Sequence, residues 1–168
     1  MFGVLSDPAI YEFEGAPPPS VERLATSYRR RESRTSTDGR EKWLNWVVRL
    51  PNAELAGYVQ ATVLESGASY VAYEFASTYW RQGIGSASVS AMLEELAQSY
   101  SVHTFVAVLK KANYRSMGLL GRLGFEHGTQ ADAQKYEAEQ DETVMLKAAA
   151  QHVTTRNVGQ AALSQASD

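Results

Sequence analysis

The feature that most constrains the fold is a glycine-containing junction in the middle of the chain, YWRQGIGS at 79–86. The run before it, SYVAYEFA at 69–76, alternates as a β-strand does. After it, apolar residues recur at helical spacing, at Val89, Met92, Leu93 and Leu96. This spacing predicts an amphipathic helix, and the apolar run VHTFVAVL at 102–109 then predicts a buried strand. Because a strand–helix–strand crossover is right-handed, the two strands should be parallel neighbours.

The sequence before this unit predicts a helix and a β-hairpin. Ser20 is a candidate N-cap, and Val21, Leu24 and Tyr28 after it share one helical face. Two runs rich in β-branched and aromatic residues, 42–50 and 56–64, are separated by a break that contains proline. This pattern is typical of paired strands.

The sequence after the unit predicts a short helix and two more strands. Residues 113–124 have a helical pattern that ends at a glycine, and KYEA at 135–138 and ETVMLKA at 142–148 predict the strands. We therefore expect a mixed α/β fold with a single domain over 1–147. The remaining residues, 148–168, lose the apolar pattern and predict a loosely packed tail.

Composition excludes several function classes. The chain has 168 residues, of which 44% are hydrophobic and 21% charged, and its net charge is −3. These values favour a globular protein and argue against nucleic-acid binding. No apolar run approaches a membrane span and no signal peptide is recognisable, so a cytoplasmic protein is expected. Cysteine is absent and the three histidines are far apart, so we expect no disulfide, metal site or thiol nucleophile.

The glycine-containing junction is a candidate anion site. A turn that leads into a helix directs unpaired N–H groups and the positive end of the helix dipole at one point. The candidate amides are those of Gln82, Gly83, Ile84, Gly85 and Ser86. Arg81 adds a positive charge, although an ordinary tight turn explains the same glycines. The GK[ST] phosphate loop is absent, and Ser88 stands where a dinucleotide-binding GxGxxG needs its third glycine.

A second motif follows about thirty residues later. It consists of Asn113, Ser116 and the pair Gly124–Phe125. Together with Trp80, Gly83 and Gly85, this pattern resembles the GNAT N-acetyltransferases over residues 2–147. The tryptophan, the NxxS motif, SDPAIYEFEGAPPP at 6–19 and WLNW at 43–46 resemble the branch that includes the ribosomal-protein N-terminal acetyltransferases.

The resemblance implies a fold, a cosubstrate and a reaction. The fold is a mostly antiparallel sheet with one splayed parallel pair, flanked by helices. Acetyl-CoA would place its pyrophosphate on the amides of 82–86, with Asn113 beside the pantetheine or adenosine part. The pantetheine would lie between strands 69–76 and 102–109, and a backbone amide near 74–77 would polarise the thioester. A small-molecule or peptide amine would attack the thioester directly. The alternative is a non-catalytic domain that binds acyl-CoA.

The proton donor is not determined by the motifs. Many members of the family carry a tyrosine seven residues after the motif asparagine, where this chain has Leu120. Ser116 of the NxxS motif is therefore the candidate general acid, and Tyr114 is the second choice. Equally, Ser116 has the position of a residue that caps or packs a short helix.

Glu74 is the candidate general base, since it lies at the end of the central strand beside the expected splay. A solvated carboxylate at a strand end is the alternative. Glu137 and Glu139 in the C-terminal region, or a chain of water molecules, are further candidates.

Two other features have more than one interpretation. The basic run YRRRESR at 28–34 is either a solvated helix face or a contact for an acidic substrate or RNA. Trp43 and Trp46 are three residues apart in a strand, so they should face opposite sides, one in the core and one at the acceptor pocket.

Relatives in the branch that this chain resembles begin with a strand that has no counterpart here. The strand at 42–50 should then be an uncovered sheet edge, which invites pairing. We expect either residues 151–155 of the tail or a second subunit in a homodimer to cover it.

Overall fold

The computed structural model describes residues 1–13 and 15–150. A mixed sheet forms its centre, and its strands are β1 Glu41–Arg49, β2 Leu55–Leu64, β3 Ala68–Phe75, β4 Thr104–Lys110, β5 Glu126–His127 and β6 Glu142–Ala148. The strand order across these six is β1-β2-β3-β4-β6-β5, and β3–β4 is the parallel pair among antiparallel ones. The mixed α/β class and the mostly antiparallel sheet are thus confirmed.

Five α-helices flank the sheet in the described residues. They are α1 Phe2–Leu5, α2 Val21–Arg31, α3 Ile84–Tyr100, α4 Tyr114–Arg122 and α5 Gln130–Lys135. The predicted cap at Ser20 is present, since its side chain accepts a hydrogen bond from the Arg23 amide. The structure adds a cap at Asn113, whose side chain accepts a hydrogen bond from the Ser116 amide. No helix in this part of the chain combines the length and apolar character needed to cross a membrane.

The two faces of the sheet pack against different helices. The main core lies on the α3 and α4 side, where the apolar stripe of α3 meets Val59, Val71 and Phe105. A smaller core lies on the opposite face, where Tyr136, directly after α5, packs with Val106 and neighbouring residues. Alternation along each strand therefore gives every strand residue a defined face.

The parallel pair separates after three residues. Ala68–Tyr70 pair with Thr104–Val106, and no pairing between β3 and β4 continues beyond them. β4 nevertheless stays paired with β6 as far as Lys110. The opening between residues 71–75 of β3 and 107–110 of β4 is called the wedge below. It confirms the expected splay.

The predicted strand at KYEA, 135–138, is wrong. Lys135 ends α5, and the second partner of β6, beside β4, is β5, which follows the short helix α4. A capping box explains the difference, because Thr129 accepts from the Asp132 amide while the Asp132 side chain accepts from the Thr129 amide. That box starts a helix at Gln130. The aromatic residue in this segment, Tyr136, is buried against Tyr70 directly after the helix and does not belong to a strand.

In the described part of the chain, β1 is an edge strand, as expected. Its first residues are partly covered by the preceding loop, since the Trp43 amide donates to the Arg34 carbonyl and the Ser36 amide donates to the Glu41 carbonyl. The proposed cover by 151–155 lies outside the described residues, and the homodimer stays a prediction.

Candidate active site

A cavity of about 770 Å³ occupies the wedge. It brings together most of the residues that the sequence analysis selected, namely Glu74, Arg81, Gly83, Gly85, Ser86, Asn113 and Ser116. Gln82 and Ile84 do not line it: the Gln82 side chain donates to the Thr78 carbonyl, and Ile84 packs against the core.

The wedge connects the two faces of the sheet. Tyr73 and Phe75 point to the face that carries α3, where both contact the main core. Glu74, between them in sequence, points to the opposite face. A molecule in the wedge can therefore be contacted from both faces of the sheet.

The start of α3 forms one end of the cavity, called the donor end. Gly83 is the N-cap residue, has a left-handed φ of 82°, and no side chain caps the helix. The first helical bond runs from the Ala87 amide to the Gly83 carbonyl, so the amides of Ile84, Gly85 and Ser86 have no partner inside the helix. Such amides, with the helix dipole behind them, favour an anion.

The two glycines of the motif have different roles. A Cβ on Gly83 would have no atom within 4 Å, so the requirement there is the positive φ. A Cβ on Gly85 would lie 3.0 Å from Cδ1 of Leu119, which belongs to α4. Gly85 therefore allows α3 and α4 to pack closely, while Gly83 shapes the anion loop.

Trp80 holds the loop between β3 and α3 in place. Its indole Nε1 donates to the Phe75 carbonyl at 2.7 Å. The guanidinium of Arg115, on α4, lies 4.7 Å from the centre of the Trp80 ring and is also paired with Glu12. The loop, α4 and the N-terminal segment, residues 1–13, are joined at this point.

One backbone amide of the 74–77 stretch faces the wedge. The Ala76 amide donates to the Ala56 carbonyl, and the Ser77 amide donates to Oδ2 of Asp7 at 2.6 Å. Because hydrogen-bonded positions alternate in an antiparallel pair, Glu74 turns its amide to β2 and Phe75 turns its amide to the wedge. Phe75 N–H is thus the candidate donor to a carbonyl oxygen.

Ser116 lies half-buried in the first turn of α4, beside a tyrosine that the sequence analysis missed. The Tyr73 hydroxyl donates to the Ser116 carbonyl at 3.4 Å. Burial raises the pKa of Tyr73 to about 12, against opposing effects of Ser116 and Arg122. Tyr73 is therefore a protonated phenol at neutral pH. The available signal was its place in the strand directly before the glycine motif.

Tyr114 and Leu120 differ from Ser116 in their surroundings. Tyr114 is 61% exposed and packs edge-on against Phe13, although it lines the outer part of the cavity. Leu120 is 1% exposed and belongs to the main core. Ser116 therefore remains the candidate acid, and the hydroxyl of a buried phenol, Tyr73, contacts its backbone carbonyl.

Glu74 lies at the other end of the cavity, called the acceptor end, among tyrosines from distant segments. Burial raises the pKa of Tyr58, and the charge and hydrogen bonding of Glu74 raise it further. Burial and then Glu74 raise the pKa of Tyr11 to about 12 in the same way. Burial raises the pKa of Tyr28 too, with a smaller contribution from Glu74. Of these three tyrosines, Tyr11 and Tyr58 line the cavity together with Glu74.

The alternative carboxylates lie elsewhere. Glu139 pairs with Lys110 at 2.9 Å, together with Asp141, and neither Glu137 nor Glu139 lines the cavity. Residues 1–13 and 15–150 contain no cluster of side chains that could hold a metal ion.

The N-terminal segment reaches the acceptor end through Asp7. Its Oδ1 accepts from the Ala9 amide at 3.0 Å, and its Oδ2 accepts from the Ser77 amide. Hydrogen bonds from Ser77 lower the pKa of Asp7 below its ordinary value. Asp7 thus positions Tyr11 over the end of β3. Sequence reasoning treated this segment only as part of the family resemblance.

Comparison with known proteins gives one family. The family model described as "Acetyltransferase (GNAT) domain" matches residues 1–126. A search of curated protein sequences finds no significant match.

Solved structures show the same fold at low sequence identity. Spermidine N-acetyltransferase from Vibrio cholerae, in complex with CoA and spermine, has a TM-score of 0.66 and 16% identity, with 88% of this chain and 86% of that chain covered. Ribosomal-protein-alanine N-acetyltransferase from Brucella melitensis has a TM-score of 0.62 and 20% identity, with 88% and 91% covered. RimJ from Mycobacterium smegmatis, in complex with CoA-disulfide, has a TM-score of 0.60 and 19% identity, with 76% and 60% covered. Enzymes for polyamines and for ribosomal proteins both occur here, so the comparisons do not select the predicted branch.

Proposed function

This chain belongs to the GNAT acetyltransferase family, whose members transfer an acyl group from CoA to an amine, and on that premise we propose that it is an N-acetyltransferase that uses acetyl-CoA. The acceptor is a primary amine, on a protein N-terminus or a small molecule. The observation that carries the proposal is the wedge, because it joins an uncapped helix N-terminus at one end to Glu74 at the other.

The residues present fit acetyl-CoA. The donor end offers free amides and Arg81 for phosphate groups, and Gly83 leaves open space in front of them. The cavity volume of about 770 Å³ is within the usual range for small-molecule sites, about 300–1,000 Å³. Acetyl-CoA, when bound, supplies an acetyl group that is activated as a thioester.

Three groups of the chain then assist the transfer. Phe75 N–H donates to the carbonyl oxygen where negative charge develops. Glu74 accepts the proton that the amine nitrogen loses as the new amide bond forms. Breaking the carbon–sulfur bond leaves a thiolate, and Ser116 gives it the hydroxyl proton. Ser116 then regains a proton from solvent and Glu74 releases the amine proton to solvent, so both side chains return to their starting state. Tyr73 is the neighbouring phenol that can act in place of Ser116.

The test combines calorimetry with a thiol-release assay. Acetyl-CoA should bind in the calorimeter, and an amine panel of peptides and polyamines should release free thiol in proportion to acetylated product. Binding without thiol release on any amine would contradict catalysis and support the acyl-CoA-binding alternative. Absence of binding would contradict both.

A further inference from the structure

A second cavity, of about 290 Å³, adjoins the acceptor end. It lies between α2 and the first two strands and is lined by Ser27, Arg31, Trp43, Asn45, Gln60 and Thr62, among others. Gln60 lines both cavities. The two cavities therefore adjoin at Gln60, and the row of β2 residues that leads from one to the other is called the path below.

The strand register gives the direction of this path. Tyr58 pairs with Glu74, Gln60 pairs with Asn45, and Thr62 pairs with Trp43. Tyr58, Gln60 and Thr62 alternate along β2, so they share the face on which Glu74 lies. Thr62 lies four residues beyond Tyr58 in β2, so the two residues are about 13 Å apart along the strand.

Arg31 provides a positive charge in the lining of the second cavity. Its Nη1 donates to Ser27 Oγ, one turn earlier on α2, at 3.0 Å. No carboxylate in the described residues forms an ion pair with Arg31. Glu41, near Trp43, does not line the cavity, and its carboxylate accepts a hydrogen bond from the Trp43 indole at 2.8 Å.

The influence of Arg31 extends to the acceptor end. Although burial and Glu74 raise the pKa of Tyr58, Arg31 acts in the opposite direction on the same hydroxyl. The surrounding segment is basic as well. Residues 23–42 contain seven of the sixteen Lys and Arg residues but only three of the nineteen Asp and Glu residues.

We propose that the acceptor is an amine that also carries a carboxylate, with its nitrogen at Glu74 and its carboxylate on Arg31. A peptide with an acidic second or third residue meets this requirement, since two extended residues and a side chain reach about 10 Å. Guanidinium and carboxylate groups match in charge and geometry. A polyamine, in contrast, would bring a second ammonium group next to Arg31. This inference rests on the proposed function and names its substrate class.

Three peptides test the inference. They begin Ala-Glu-Glu, Ala-Gln-Gln and Ala-Lys-Lys and are otherwise identical, and spermidine is the fourth acceptor. The kcat/KM of the Glu peptide should be about tenfold above that of the Gln peptide, because hydrogen bonds between charged groups are stronger than those between neutral groups. The ratio of the Glu peptide to the Lys peptide or to spermidine should be larger than tenfold.

Two arginine variants locate the effect. Arg31→Gln should lower kcat/KM for the Glu peptide about tenfold, mainly through KM, and change the value for the Gln peptide about twofold or less. Arg31→Lys should recover part of the loss. Arg29→Gln is the matched control, since it removes the same charge from the same helix at an exposed residue that lines neither cavity.

The outcomes separate this inference from the proposed function. If spermidine or the Lys peptide is preferred, or if Arg31→Gln and Arg29→Gln have equal effects, the inference is wrong while acetyl transfer stands. If no amine of any charge releases thiol, the proposed function is wrong and the inference falls with it. Equal thermal unfolding of the variants would show that the fold is intact.

Discussion

The donor end and the acceptor end of the wedge are built in different ways. The donor end consists of consecutive backbone groups between Arg81 and Ser86, which the α3 N-terminus holds in place. The acceptor end consists of side chains from three separate segments, Tyr11, Tyr58 and Glu74, brought together by packing. The first needs a local conformation and tolerates many side chains. The second needs particular side chains on several elements, and the fold of the whole domain determines the relative positions of those elements.

Changes at the acceptor end should have the largest effect on turnover. Glu74→Gln removes the base at nearly constant shape and should lower kcat by roughly 10²–10⁴, since general base catalysis has that magnitude. The acid limb of the pH profile should vanish with it. Steady-state rates over a range of pH measure both, and CoA affinity should stay unchanged.

Glu139→Gln is the control for this variant, because Glu139 is an exposed carboxylate that pairs with Lys110 outside the cavity. A Glu74→Gln enzyme with the parent's rate and pH profile would remove Glu74 from the mechanism. The acceptor end would then depend on water as the base.

Ser116, the proposed proton donor, should have the next effect. Ser116→Ala should lower kcat by about 10² with a smaller change in the acetyl-CoA KM, because a general acid acts in the transition state. Tyr73→Phe should lower kcat less, by about tenfold, if the phenol assists Ser116. Single-turnover measurements with both variants and the double variant test this.

Tyr114→Phe is the control, since Tyr114 is largely exposed. Turnover within twofold of the parent in Ser116→Ala would show that the serine only packs α4. In that case Tyr73 alone would be the donor to examine.

At the donor end, Gly83→Val should weaken CoA binding at least tenfold and leave the acceptor KM unchanged. A β-branched residue is disfavoured at a φ of 82°, so the amides of the loop should shift from their positions. Calorimetry gives the dissociation constant, and circular dichroism verifies the fold.

Gly39→Val is the matched control, because Gly39 has a φ of 74° and equally open space but lies in an exposed turn. It carries the same kind of backbone strain without contact with the wedge. An unchanged CoA affinity in Gly83→Val would contradict the phosphate-loop assignment.

The smallest effect concerns Asp7, which joins the N-terminal segment to β3. Asp7→Ala should lower the free energy of unfolding by about 1 kcal/mol at pH 7, as loss of a capping carboxylate does. Hydrogen bonds from Ser77 lower the pKa of Asp7 from 3.8, so its protonated form is disfavoured in the folded state. The contribution is therefore present above about pH 4 and is lost as the pH falls through the lowered pKa.

Urea unfolding of both proteins between pH 7 and pH 3 measures this difference. The two curves should converge towards the acid end. A difference that is constant with pH would show that Asp7 acts by packing and that its charge is unimportant.

The sequence by itself determined the elements whose signals are local. Alternation and helical spacing predicted β3, α3 and β4, and the family resemblance carried by the two motifs implied the splay of the parallel pair. Ser20 was recognisable as a cap because a cap acts within four residues of its position. The two-residue repeat of a strand also predicted that Trp43 and Trp46 lie on opposite faces of the sheet. Trp46 packs against the core and Trp43 lines the second cavity.

Only the tertiary structure decided which side chains meet at the acceptor end. Tyr11 and Tyr58 are ordinary residues in their own segments, and their approach to Glu74 depends on strand register and on the packing of the N-terminal segment. The same holds for Gly85, whose partner Leu119 lies on another helix. Backbone conformation is encoded over a few residues, whereas the juxtaposition of distant side chains results from the packing of the whole sheet.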